Sequence, residues 1–201
     1  MKKLVKIGAI AFGVLIVLFF AVAAFLPNEM SVTRTEVIDA PADSVFDRVN
    51  NLRTFVQWIP WGVELDSSIE LEFSDPEVGE GAWYRWTGDD SGHGTTTLVE
   101  SVRPERIRMA IEFDEGKMAA TNRFRFEPES GGRATRVSWE LRTDDGGHLL
   151  HRYFLPIMEK MVGPFLVQGL SDLKKLVESA PAPVPEAPVP EAPVPETPEE
   201  P

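Results

Sequence analysis

From Arg106 to Phe113 the chain alternates: Ile107, Met109, Ile111 and Phe113 are apolar, while Arg108 and Glu112 are charged. A two-residue period places one set on each face of a β-strand. The same period recurs nearby. Ala119–Glu127 sets Phe124 and Phe126 against Arg123 and Arg125, and Ala134–Thr143 sets Val137, Trp139 and Leu141 against Arg136, Ser138, Glu140 and Arg142. Ile69–Phe73, Ala82–Thr87 and Gly94–Val102 read as three more strands, bounded by Asp75-Pro76, Gly79-Glu80-Gly81 and the hairpin loop Gly88–Gly92. Met30–Asp39 is rich in β-branched residues and predicts a strand ahead of these six.

Two helical patterns interrupt the strands. Pro41 and Asp43 open a short helix with Val45, Phe46 and Val49 on its apolar face. Leu52–Trp58 follows as a second, ended by Ile59-Pro60-Trp61-Gly62. The longest periodic stretch is Met158–Ser179. Its apolar residues Met158, Val162, Leu166, Leu170, Leu173 and Val177 share one helix face, and Met161, Phe165 and Leu176 widen it. Pro164 inside it predicts a kink or a helix restart. The order is strand, two helices, six strands, long helix. Alternation with one polar face describes an antiparallel sheet wet on one side. Its dry face and the long helix each need a cover, and the two demands match.

Residues 7–26 carry no charge, and about 20 such residues span a bilayer. Lys2, Lys3 and Lys6 precede them, so the expected topology is an N-terminal transmembrane helix with the N-terminus cytoplasmic and the domain on the outer side of the plasma membrane. A cleaved signal peptide ending at Ala21-Val22-Ala23 is the alternative, although the apolar run exceeds the usual ~7–15 residues. After Ser179 the unit APVPE repeats three times. That much proline denies hydrogen bonds and fixes φ, so 181–201 is expected to be a disordered spacer outside the core, or a docking segment for a protein partner. Residues 1–27, 28–180 and 181–201 thus form anchor, domain and tail.

Charge narrows the partners. The formal net charge is −12; the anchor holds +3 and the tail −5, which leaves −10 for the domain. An acidic domain without a basic patch argues against nucleic acid. The absence of Cys excludes disulfides, thiolate zinc ligation and thiol catalysis. His148 and His151 lack a third ligand at a metal-like spacing, and His93 is placed at an exposed hairpin tip. No phosphate-binding glycine loop, nucleophile elbow or metalloprotease motif occurs. No catalytic residue, metal or cofactor is therefore assigned.

Several local strings in order carry a resemblance. They are Ile38-Asp39-Ala40-Pro41, Trp58-Ile59-Pro60-Trp61, Tyr84-Arg85-Trp86, the pair Gly92/Gly94, Val137-Ser138-Trp139, and Met161-Val162-Gly163-Pro164 through Gly169-Leu170-Ser171-Asp172-Leu173-Lys174. Over about residues 30–178 the chain resembles the START-like (SRPBCC) superfamily, and within it the polyketide cyclase/dehydrase-like proteins. The resemblance implies an α+β helix-grip fold, an antiparallel sheet curved around a long C-terminal helix, with a hydrophobic cavity between them. It carries no catalytic residue onto this sequence. Tyr84, Trp86, Met109, Ile111, Phe124, Trp139, Met161 and Phe165 are the expected cavity-lining residues, and a small hydrophobic or lipid-like ligand the expected partner. Two other readings stand beside that one. A cyclase- or dehydratase-like enzyme would need a strand Arg or Glu turned inward, and an interaction module would have its cavity filled and act through the tail.

Overall fold

The computed structural model describes residues 2–61, 66–116, 118–144, 146 and 149–179. The expected element order is observed. Helix α1 (Lys2–Phe25) precedes strand β1 (Glu29–Ile38), helices α2 (Ala42–Asn50) and α3 (Leu52–Phe55), and strands β2 (Glu70–Phe73), β3 (Trp83–Gly88) and β4 (Gly92–Val102). Strands β5 (Arg106–Phe113), β6 (Met118–Glu129) and β7 (Ala134–Asp144) follow, and helix α4 (Leu155–Glu178) closes the described chain. Lys6–Phe25 of α1 is long and apolar enough to cross a membrane, with mean hydropathy 2.8. The tail 181–201 lies outside the described residues, as does His148.

All seven strands form one antiparallel sheet in the order β1-β7-β6-β5-β4-β3-β2. β2 to β7 form a meander, and β1 joins the free edge of β7. The expected division of faces holds. On the outer face a register row runs Glu140, Arg123, Arg108, Glu100 across β7, β6, β5 and β4. The two arginines are directly opposite each other, and the flanking carboxylates offset that repulsion: Arg123 lies 3.4 Å from Glu140 and Arg108 3.3 Å from Glu100. Arg85 pairs with Glu72 at 2.8 Å on the same face. These exposed pairs contribute at most about 1 kcal/mol each and serve mainly to keep the face soluble.

The inner face carries the core. Trp139 is fully buried and stacks on Phe124 at 5.1 Å, while Trp58 and Trp61 approach its ring at 5.5 Å each. Its indole N–H donates to Asn122 Oδ1 at 2.9 Å, so both buried polar groups are paired. Helix α2 is entered through Pro41 at its N-cap and carries Asp43 in its first turn and Arg48 in its last, each charge opposing the local end of the helix dipole. The Asn51 side chain accepts from the Thr54 N–H and starts α3. Both short helices pack Val45, Phe46, Val49, Leu52 and Phe55 into the core.

Helix α4 covers the rest. Leu166, Leu170, Leu173 and Val177 are buried as their spacing predicts. Met161 and Phe165 are not: they are exposed, on a face turned roughly a third of a turn from the buried one. Periodicity groups residues on a face, but only packing decides how wide a stripe is covered. Pro164 does not restart the helix, which is continuous from Leu155 to Glu178. Lys174 ties the helix to β1, donating to Glu36 at 3.0 Å and to the Val37 carbonyl at 2.8 Å.

Two helix glycines have opposite reasons to be there. A Cβ at Gly169 would stand 2.7 Å from the Trp139 ring and 3.0 Å from Pro60, both fixed by packing. A Cβ at Gly163 would meet only the Arg34 guanidinium, the far end of a flexible side chain. Alanine normally gains about 1 kcal/mol over glycine in a helix interior. Gly163→Ala is therefore expected to be neutral or stabilising. Gly169→Ala is expected to lose about 1–3 kcal/mol through overpacking, read by urea unfolding followed by tryptophan fluorescence. Equal effects of the two would contradict this packing.

Candidate functional site

The inner face is not filled evenly. One register row crosses the sheet as Met30, Thr143, Ala120, Ile111, Thr96 and Tyr84 on β1, β7, β6, β5, β4 and β3. Its middle holds Thr143, Ala120 and Thr96, which are small. Two rows further along, the residues are Trp139, Phe124 and Ile107, which are large. The core is therefore full where the large side chains stand and hollow over the small ones. The hollow is a cavity of about 280 Å³. That is close to the lower end of the ~300–1,000 Å³ typical of small-molecule sites.

Each wall has an identifiable source. The row beyond the small residues supplies Met118, Phe113 and Trp86. Trp86 lies over Gly94 on the neighbouring strand, and a Cβ there would collide with its ring. Gly94 thus lets the indole lie close against the sheet. Val56, Ile59 and Trp61, from the end of α3 and the segment after it, form one side, and Met158 and Val162 of α4 form the roof.

The hairpin between β3 and β4 closes the remaining side, and buried Asp66 holds it there. The Asp66 carboxylate accepts from the amides of Asp90 at 3.0 Å, Ser91 at 2.9 Å and Ser68 at 2.9 Å, and from the Ser68 hydroxyl at 2.5 Å. Ser68 Oγ accepts in turn from the Asp89 amide at 2.8 Å. Hydrogen bonds to the charged form, the Ser68 hydroxyl first, hold Asp66 well below the usual carboxylate range. Ile69 and Ser91, on either side of this knot, both line the cavity.

Chemically the lining is nearly inert. Its polar side-chain groups are the hydroxyls of Tyr84, Ser91, Thr96 and Thr143 and the indole N–H groups of Trp61 and Trp86. Burial pushes the Tyr84 hydroxyl up to about 12, against a smaller opposing effect of its hydrogen bond to Thr96. It is a neutral phenol throughout the physiological range. No carboxylate, histidine, lysine or arginine lines the cavity among the described residues. The strand charges that an acid–base reaction would need, Arg85, Glu100, Arg108, Arg123 and Glu140, are paired on the outer face. His93 is not at the hairpin tip but in β4, paired in register with Thr87 and half exposed beside Asp114. The described residues hold no cluster of three metal-capable side chains.

Of the eight residues expected at the cavity, Tyr84, Trp86 and Ile111 line it. Met109, Phe124 and Trp139 do not: they have the inward parity but stand in the filled rows, sealed by their neighbours. Met161 and Phe165 do not either, because they face outward. Sequence reasoning missed Met30, Thr96, Phe113, Met118, Ala120 and Thr143. The available signal was small or terminal residues of inward parity, and it becomes readable only once the strand register aligns them in one row.

The Asp66 knot has a pH signature. A folded-state pKa below the unfolded value near 3.9 gives stability that is complete above about pH 5 and lost as pH falls through the folded pKa. Asp66→Asn is expected to lower stability at pH 7 and to flatten its decline between about pH 4 and 2, measured by urea unfolding at a series of pH values. Parallel wild-type and variant curves would contradict the assignment.

The comparisons agree with this geometry. A family model described as polyketide cyclase / dehydrase and lipid transport matches residues 29–178. No curated protein matches the chain. Among solved structures, protein CV1439 from Chromobacterium violaceum is 19% identical, with 77% of this chain and 100% of that one covered and a TM-score of 0.52. Protein SA2116 from Staphylococcus aureus, described as of unknown function, is 13% identical, with 75% and 94% covered and a TM-score of 0.59. CalU16 from Micromonospora echinospora is 17% identical, with 74% and 76% covered and a TM-score of 0.50. At these identities the structural likeness establishes the fold, while the family model spans the whole sheet and its covering helix. The chain belongs to the polyketide cyclase / dehydrase and lipid transport family of the START-like (SRPBCC) superfamily.

Proposed function

We propose that this protein is a membrane-tethered binding module for a small hydrophobic or lipid-like ligand, held between the sheet and α4. The observation that carries the reading is the cavity's lining: aliphatic and aromatic side chains with four hydroxyls and no ionised group. Such a surface gains by exchanging water for hydrocarbon at about 25 cal/mol per Å² of apolar area. It offers nothing to balance the charge of an ionic ligand. The hydroxyls of Tyr84, Thr96 and Thr143 lie along one row of the floor, suited to orienting a ligand with a single polar end.

The lipid-transport part of the family description fits the same lining. The apolar helix Lys6–Phe25, preceded by Lys2 and Lys3, supports the tether, with the domain on the outer side of the plasma membrane. A tether keeps a carrier at a source of apolar ligand. The proline-rich tail then serves as a spacer or as a docking segment for a protein partner.

Filling the cavity tests the reading. Ala120 sits in the middle of the floor, so Ala120→Phe places a ring in the void. The buried core lies between residues 30 and 177 apart from Ala23, so the fragment 28–180 holds all of the site. That fragment is expected to bind the neutral dye N-phenyl-1-naphthylamine and to transfer tryptophan excitation to it. The Ala120→Phe fragment is expected to lose the signal while its unfolding midpoint stays equal or rises. Undiminished dye binding by a folded variant would contradict the site.

A further inference from the structure

The N-cap and first half of α4 present an apolar ridge to solvent. Phe154, Ile157, Met161 and Phe165 follow one another at steps of three, four and four, one face of the helix, and are 61%, 56%, 61% and 37% exposed. Four large apolar side chains left open in one line mark a surface that something covers.

The position of α1 says what covers it. Only residues 26–28 separate α1 from β1, and three residues span at most about 10 Å. The domain therefore sits directly on whatever encloses α1. One contact fixes the side. The Tyr153 ring stacks on Phe19 at 4.7 Å, and its hydroxyl donates to the Phe19 carbonyl at 2.5 Å. Phe19 is six residues before the end of α1, about 9 Å along its axis. That contact lies in the outer third of the Lys6–Phe25 span, on the side of α1 where the domain rests. The ridge begins at the next residue, Phe154.

The cavity lies toward the same end of the molecule. Met30 is the second residue of β1, Thr143 the last but one of β7, Met118 the first of β6 and Phe113 the last of β5. All four line the cavity at the strand ends nearest the three-residue link to α1. Phe165 joins the ridge to the cavity wall, its ring 6.5 Å from that of Trp61. An apolar path thus runs from the ridge past Phe165 and Trp61 into the hollow under Met158 and Val162.

Resting on the tethered reading above, we infer that the ridge Phe154, Ile157, Met161 and Phe165 docks on the lipid leaflet at the C-terminal end of α1, so that the cavity takes its ligand directly from that leaflet. The occupant is bilayer lipid, because α1 brings the bilayer within a few residues of the ridge. A lipid molecule entering by this route would move between two apolar surroundings without crossing water.

The absence of cysteine makes a direct test simple. Full-length chains carrying Leu15→Cys, Ile157→Cys, Met161→Cys or Arg133→Cys are labelled with a nitroxide and placed in nanodiscs of phosphatidylcholine and phosphatidylglycerol. Collision with oxygen, which concentrates in lipid, is compared with collision with a water-soluble nickel chelate. Labels at Leu15, Ile157 and Met161 are expected to favour oxygen, and the label at Arg133, at the far end of the β6–β7 hairpin, the chelate. Chelate access at Ile157 and Met161 with Leu15 in lipid overturns the docking and leaves the tether standing. Chelate access at Leu15 removes the tether and the docking with it. Shielding of Met161 from both reagents, with dipolar coupling between labels, means that a second copy covers the ridge and also overturns the inference.

Discussion

Trp139 decides where α4 can lie. Its ring is held by Phe124 beneath and by Trp58 and Trp61 at its sides, and its N–H is fixed on Asn122. Gly169 is the point at which the helix backbone comes down onto that ring. Beyond it Leu170, Leu173 and Val177 seal the helix to the sheet, while Lys174 pins it to the edge strand. Before it the floor changes from large to small side chains and the helix becomes a roof over empty space. One contact thus divides the molecule into a closed half that supplies stability and an open half that holds the cavity.

The closed half was legible in the sequence. The alternation in β5, β6 and β7 identified the strands, their charged faces and the helix that had to cover them, because period and burial are properties of neighbours along the chain. The open half was not. Trp139, Phe124 and Met109 share inward parity with Ile111, Leu141 and Ala120, and nothing in the period separates a filled row from a hollow one. That difference arises only when register brings Thr96, Ala120 and Thr143 side by side from three strands. Met161 and Phe165 failed for a related reason. A helix period shows that they share a face, while the width of the covered stripe depends on how the helix is seated.

The same division explains the chemistry. Most charged groups on the sheet lie on the outer face, where carboxylates flank the adjacent arginines at little energetic consequence. The cavity is left with hydroxyls, two indole N–H groups and hydrocarbon, while the inward charges Arg34 and Glu36 stand on the edge strand β1 against α4. Asp66 is the exception that proves useful: a buried carboxylate, it is tolerated because backbone amides and a serine hydroxyl surround it. In exchange it fixes the hairpin that walls the cavity. Rigid walls of this kind favour a preformed site over one that collapses when empty.

The central claim is that the hollow beneath Met158 and Val162 holds an apolar ligand. Native mass spectrometry of the fragment 28–180, taken directly from expressing cells and again after incubation with a lipid extract, tests it most directly. A one-to-one adduct is expected whose mass, on release, is that of an extractable apolar molecule. Bare protein under both conditions, with the fold intact, would contradict it.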